Sequence, residues 1–354
     1  MELDLEGIWQ EYGLQDLQNG LEALFPEFHI SLREIMEKVL MGDFTGIFGD
    51  IFMYGAQGIY ERMAGFKNIF IWLLLLGIAA GVMTHFVEVF HKHQIADLSY
   101  YFMYLLFVTV LFRCFIQVSE IVGQVITNIV LFIRLMVPTY LLAVGVTTGV
   151  TTVSAYSQLL VLVVYGVESF LDRGITKMIS AYMMLSMLNG IWIEERLSLL
   201  ADFLKKIVTL SLKSMLGVVT GISIFQTLIT PVIDSAKSSM LQKTISAIPG
   251  IGNISEGVME LVIGSAVIIK NSIGVVILLL LIFICAAPLL EVFIIGMILR
   301  LAAAVLGIVS DKRLVECTNR AADAGMLMFR VAGTALVLFL IVIAVLATAT
   351  NRGI

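Results

Sequence analysis

Charge is what this sequence has little of: Asp, Glu, Lys and Arg make up 14% of its 354 residues, against 59% hydrophobic. A soluble globule needs about a quarter of its residues charged to cover its surface, so that class is excluded, and a mean hydropathy of +1.00 places the chain in lipid. Cysteine is also sparse. Cys114 and Cys285 lie inside apolar runs and Cys317 in a charged connector, which is no disulfide framework, so all three are read as packing residues. Of the few histidines, His91-Lys92-His93 has the wrong spacing for a metal site on one helical face. There is no Gly-x-Ser-x-Gly elbow, no Walker loop and no His-Glu-x-x-His pair. Neither an enzyme nor a cofactor or metal is expected, and nucleic acid is not an expected partner. The opening Met1-Glu2-Leu3-Asp4-Leu5-Glu6 is acidic where a secretory signal is basic and then apolar. Either the first apolar segment directs insertion, or a signal has been removed.

What charge there is falls unevenly. Residues 1–68 carry 12 acidic and 4 basic side chains, so the net −5 of the whole leaves +3 for everything after them. The expected division is an acidic, amphipathic helical region over residues 1–68, outside the bilayer core, and a polytopic transmembrane domain over residues 69–354. Within the first, Ser31-Leu32-Arg33-Glu34 has the form of a capping box, followed by Ile35, Met36, Val39 and Leu40 at helical spacing. Ile47, Phe48, Ile51, Phe52, Ile59, Tyr60 and Met63 form a second stripe, suited to a helix lying in the membrane interface.

A spanning helix needs about 20 mostly apolar residues. Seven windows qualify: 69–90, 98–118, 121–144, 153–171, 175–193, 207–230 and 326–349. The stretch from Asn271 to Asp311 would run nearly twice the hydrocarbon thickness as one helix, so it is expected to be two, broken at Pro288. Two further segments, Pro138 to Ser154 and Ile248 to Ser265, are rich in glycine, threonine and serine. They are either re-entrant or cavity-lining backbone, or helices that pack closely through small residues. The expected fold is therefore all-α: a polytopic membrane bundle with broken or re-entrant helices. Residues 194–206 read as a surface-lying amphipathic helix, with Asp202, Lys205 and Lys206 on one face and Leu200 and Leu204 opposite, serving as partner-docking surface or interfacial anchor.

Lys270, between two apolar runs and beside Asn271, is the most expensive residue in the chain to leave in lipid. Pairing with Glu260 or Glu291 is one way to satisfy it. The candidate pathway or packing residues are Pro138, Gly145, Gln226, Pro249, Gly250, Gly252, Glu260, Lys270, Asn271, Pro288 and Glu291. Arg134, Glu168, Arg300 and Arg330, near the ends of spans, are expected to snorkel to the interface.

The run from Leu199 to Lys206, Gln226 within GISIFQTLITP, the block from Ala247 to Val276 (AIPGIGNISEGVMELVIGSAVIIKNSIGVV) and that from Cys285 to Val305 (CAAPLLEVFIIGMILRLAAAV) together resemble the stage III sporulation protein AE family. The resemblance implies a multi-pass protein of the mother-cell membrane around the forespore, with residues 1–68 in the intermembrane space. It further implies work with other proteins of its operon, including ring-forming proteins and a secretion-type ATPase, in a channel-like complex required for endospore formation. Copies of the chain itself are a further candidate partner. A stand-alone permease for a small solute and a passive scaffold are the alternatives.

Overall fold

The computed structural model describes residues 14–25, 31–43, 45–47, 49, 53, 67–83, 93–148, 158, 161–191, 197–245 and 252–349, with side chains described outside 40, 93–100, 142–148, 222–245, 252–270 and 345–349. Among the described residues there is helix and no strand. Two short amphipathic helices come first. In α1 (Leu14–Leu24), Leu14, Leu17 and Leu21 fall on one face and are buried. Half of the capping box expected at Ser31 is present: Ser31 Oγ accepts from the Glu34 N–H at 3.4 Å and opens α2 (Leu32–Met41), while the Glu34 carboxylate turns to Lys38 at 2.9 Å instead of back to the cap. Gly42 closes that helix at φ 73°, a left-handed position that glycine adopts without strain, and the Asp43 N–H donates to the Lys38 carbonyl at 2.9 Å. Gln18 Oε1 accepts from the Leu32 N–H at 2.8 Å and ties the pair together.

Both helices dock by their apolar faces. Leu14, Leu17, Leu32 and Met36 close over Met136 and Thr139 of α4 (His93–Thr148) and over Ile273, Val276 and Ile277 of α7 (Gly252–Val309). Between them in sequence lies α3, residues Lys67–Met83. The bundle is completed by α5, which runs from residue 161 through a π-helical turn Ser169–Ile175 to Thr176–Asn189, by α6 (Ser198–Ile245), and by α8 (Lys312–Ala349). The main packing is of α7 on α8, with α4 against both and α6 against α5 and α8. Three segments are long and apolar enough to cross a membrane among the described residues: Tyr101–Leu141, Asn271–Val309 and Lys312–Ala344.

Close approaches explain several glycines. α7 and α8 form a hairpin turning at Ser310-Asp311, and a Cβ on Gly296 would meet Met326 Sδ at 2.8 Å. α3 crosses the C-terminal end of α7 through Gly77 and Gly81, spaced as in Gly-x-x-x-Gly. A Cβ at Gly77 would collide with Leu306 and one at Gly81 with the Val309 carbonyl, and the Ser310 hydroxyl donates to the Gly77 carbonyl at 2.6 Å.

Three expected breaks are absent. The backbone of α7 is helical from Gly252 to Val309, through Pro288, a run of 58 residues or about 87 Å. That of α4 is helical over 56 residues, through Pro138 and through Ser119-Glu120, where two windows were separated. The windows 153–171 and 175–193 likewise share one helix over their described parts, joined by the π-helical turn. Hydropathy divides a sequence by bilayer thickness, but the i to i−4 ladder is local and stops only where a cap or an unpaired group stops it. Proline removes one bond of that ladder, and packed neighbours in a membrane bundle tolerate the gap. The expected irregular segments are accordingly helical over 138–148 and 252–265; residues 149–154 and 248–251 lie outside the described residues.

Candidate functional site

The densest polar chemistry among the described side chains lies where α6, α7 and α8 meet. Glu316, Arg320 and Asp323 recur at i, i+4 and i+7 and so share a face of α8. Asp202 and Lys205 share a face of the first turns of α6. The two helices run in the same direction at one offset, so that Asp202 meets Arg320 and Lys205 meets Asp323. Lys205 Nζ lies 2.5 Å from Asp323 Oδ2, and Arg300 of α7 places Nη2 3.0 Å from Asp323 Oδ1. Arg320 reaches Glu316 at 3.0 Å within its own helix and Asp202 at 3.4 Å across to α6. Lys205, Asp323 and Arg300 thus form one triad across α6, α8 and α7, and Asp202, Arg320 and Glu316 a second beside it across α6 and α8, with opposite net charges.

Burial decides how much each pair matters. The side chains of Arg320 and Asp323 are 14% and 19% exposed, whereas those of Asp202 and Arg300 are 55% and 50% exposed. The exposed ends contribute little individually. Arg320 and Asp323 are each costly to remove, because the partners left behind, Glu316 for the one and Lys205 for the other, are themselves partly desolvated.

Buried hydrogen bonds hold the neighbouring helices against this network. Tyr104 of α4 donates its hydroxyl to the Met187 carbonyl of α5 at 2.6 Å, beside Cys317 of α8. Cys317 Sγ lies 3.1 Å from Met187 Sδ. Asn189 Oδ1 accepts from the Leu197 N–H at 2.9 Å and bridges the connection from α5 to α6. In the π-helical turn, the Thr176 hydroxyl donates to the Leu171 carbonyl at 3.0 Å. Just before that turn, Glu168 pairs with Arg134 of α4 at 3.5 Å. Among the described residues no cluster of His, Cys, Asp and Glu could hold a metal ion.

The residues singled out from sequence do not converge here. Pro138 is exposed within α4, Pro288 is half-buried within α7, and Glu291 is buried on α7 at 7% exposure. Gly145, Gln226, Glu260 and Lys270 lie in the helical backbone of α4, α6, α7 and α7, and Gly252 is the first residue of α7. Pro249 and Gly250 lie outside the described residues. Asn271 Oδ1 is buried and finds no hydrogen-bond partner among the described residues. On one continuous helix the Lys270 backbone stands about 31 Å along the axis from Glu291, too far for a pair within the chain, and about 15 Å from Glu260.

Two cations expected to snorkel are paired instead, Arg134 with Glu168 and Arg300 with Asp323. Lys205, expected on the outer face of a surface helix, turns inward to Asp323, while Leu200 on the supposed inner face is 48% exposed. A signal for the network was present in the sequence. Asp202-x-x-Lys205 and Arg320-x-x-Asp323 have opposite signs in the same order, which is the pattern of two helices paired in parallel.

The family model for stage III sporulation protein AE matches residues 30–350. The chain belongs to the stage III sporulation protein AE family. It is similar to the stage III sporulation protein AE of Bacillus subtilis (strain 168), with 22% identity over 281 residues, covering 79% of this chain and 70% of the relative. The match takes in the whole of α2 and everything from α3 to α8, so the charge network and the α7–α8 hairpin both fall within the family region. No solved structure matches the chain.

Proposed function

We propose that the protein is a non-catalytic membrane subunit of the channel-like complex between mother cell and forespore, acting as its membrane platform or gate. In this reading it resides in the mother-cell membrane around the forespore, with residues 1–68 in the intermembrane space. Its partners are other proteins of its operon, including ring-forming proteins and a secretion-type ATPase. Family membership supports the sporulation role, and three long apolar helices support the membrane location. The observation that carries the platform reading is the network of Asp202, Lys205, Arg300, Glu316, Arg320 and Asp323, which fixes three helices in one register. A rigid body of that kind suits a component on which others assemble. The stand-alone permease draws its support from the two interrupted segments, 138–154 and 248–265, and from Lys270; the described parts of those segments, 138–148 and 252–265, are continuous helix.

Affinity capture from sporulating cells tests the proposal. The tagged chain is expected to return the operon partners, and Asp323→Lys to lose them. Capture of no operon product, or solute uptake by the purified chain alone in liposomes, would defeat it. Lys270→Ala separates the two roles: intact assembly with blocked forespore development favours a gate, and normal sporulation favours a platform.

A further inference from the structure

Seven residues past Asp323, on the same face of α8, Arg330 stands exposed. The contacts of Asp202 with Arg320 and of Lys205 with Asp323 hold α6 beside α8 at one offset, which brings Lys213 level with Arg330 to within one residue, about 1.5 Å. Lys213 is exposed as well, on a stripe of α6 that it shares with Phe203, Lys206 and Leu210, all exposed. Lys205 and Arg300 share Asp323. Lys213 and Arg330 have no anion and no hydrogen-bond partner among the described residues.

Three uncharged runs end at that same level. α8 carries no charge over 331–349, which is 19 residues, and α6 none over 214–233, which is 20. In α7 the uncharged run is 271–290, again 20 residues, and the α7–α8 hairpin sets its end beside Arg330: the Phe293 and Phe329 ring centroids are 5.4 Å apart. Glu291, which follows, is buried, whereas Arg330 is exposed. Each run is about 28–30 Å long, the thickness of a hydrocarbon core. Lengths read from the sequence and a register read from side-chain contacts agree on one plane, and Lys213 and Arg330 stand at it.

We infer that Lys213 and Arg330 hold the phosphate of an anionic phospholipid at the groove between α6 and α8. The plane where the uncharged runs end is the plane of the lipid headgroups, and two cations without a counter-charge in the protein complement a headgroup of net negative charge. A zwitterionic headgroup would bring its own ammonium against them. Arginine offers a two-pronged donor to phosphate oxygens and lysine a point charge on a flexible stem. The groove also has room for acyl chains. Gly217, four residues past Lys213, has open space where a Cβ would stand, and Val337, seven residues past Arg330 on the same face, is 43% exposed. A free anion would use neither. The inference rests on the membrane location and not on the operon partners. Failure to capture those partners would leave it standing, whereas release of the chain from membranes by alkaline carbonate without detergent would defeat the location and the inference together.

Titration of the full chain in detergent with a fluorescent phosphatidylglycerol tests it, with unlabelled phosphatidylglycerol, phosphatidylcholine and inorganic phosphate as competitors. Phosphatidylglycerol is expected to displace the probe far better than either of the others. Lys213→Gln and Arg330→Gln should each weaken binding about fivefold, and the two together about twenty-fivefold. Lys312→Gln removes an equally exposed charge about 27 Å away at the hairpin and should leave binding unchanged. Arg330→Lys keeps the charge and should retain most of the binding, which separates loss of the site from loss of the fold. Equal competition by phosphatidylcholine, competition by phosphate as strong as by phosphatidylglycerol, or the same loss with Lys312→Gln or Arg330→Lys as with Arg330→Gln would each overturn the inference.

Discussion

Asp323 and Arg320 are each shared between partners on their own or adjacent helices, whereas Gln117, Glu120 and Gln124, on a helix packed into the same bundle, find nothing among the described residues to bond. Both regions put polar chemistry on otherwise apolar helices. In the first, the chain satisfies its own charges and gains a fixed register of α6, α7 and α8. In the second, the polar side chains stand exposed on the outer face of α4 and add nothing to the register of the helices. The difference separates the charges that hold this subunit together from those that do not.

The largest effect expected on the closed side is from Asp323→Lys, which gathers three cations where one anion stood. Allowing for the partial exposure of the site, it should cost about 2–4 kcal/mol, read as a lower melting temperature in detergent. The double change Asp323→Lys with Lys205→Asp should recover part of the loss. If the single change leaves melting where it was, the network is not what fixes the helices.

Next comes Gly81→Leu, which drives a side chain into the Val309 carbonyl at the crossing of α3 over α7. Overpacking of this kind costs about 1–3 kcal/mol, and the same melting assay would register it. No change would mean that α3 does not cross α7 there.

Tyr104→Phe is smaller, because it removes one buried hydrogen bond to the Met187 carbonyl, worth about 1 kcal/mol. Slow exchange of backbone amides in α5 should become faster near Met187, and an unaltered pattern would argue against the bond.

The smallest effect lies outside both regions. The Gly46 N–H and then the Thr45 hydroxyl hold the Asp43 carboxyl below the usual carboxylate range. A lowered value in the folded state means that its contribution is present above the ordinary carboxylate pKa and is lost as pH falls through the lowered one. Asp43→Asn should remove only that acid-side dependence, seen by titrating the Gly46 amide resonance.

Much of the architecture was legible in the residues. Ser31 announced the start of α2, and long apolar runs announced the three helices long enough to cross a membrane, because capping and hydropathy are local properties. The family was legible from the blocks beginning at Ala247 and Cys285. The continuity of α4 and α7 was not, because bilayer thickness was used to cut helices that their own hydrogen bonds do not interrupt. Neither was the charge network, since its six members come from three stretches of sequence and only parallel packing of α6 on α8 brings them together. Lys270 is costly in lipid, yet on a continuous α7 its backbone stands about 31 Å from Glu291, one of the two glutamates expected to pair with it.

The contrast between paired charges and an exposed polar stripe is tested most directly by melting in detergent. A double-mutant cycle of Lys205→Ala and Asp323→Ala should return a coupling of about 0.5–3 kcal/mol, whereas Glu120→Gln should leave the melting temperature where it was. Additive losses at 205 and 323, or an equal loss at Glu120, would contradict the account.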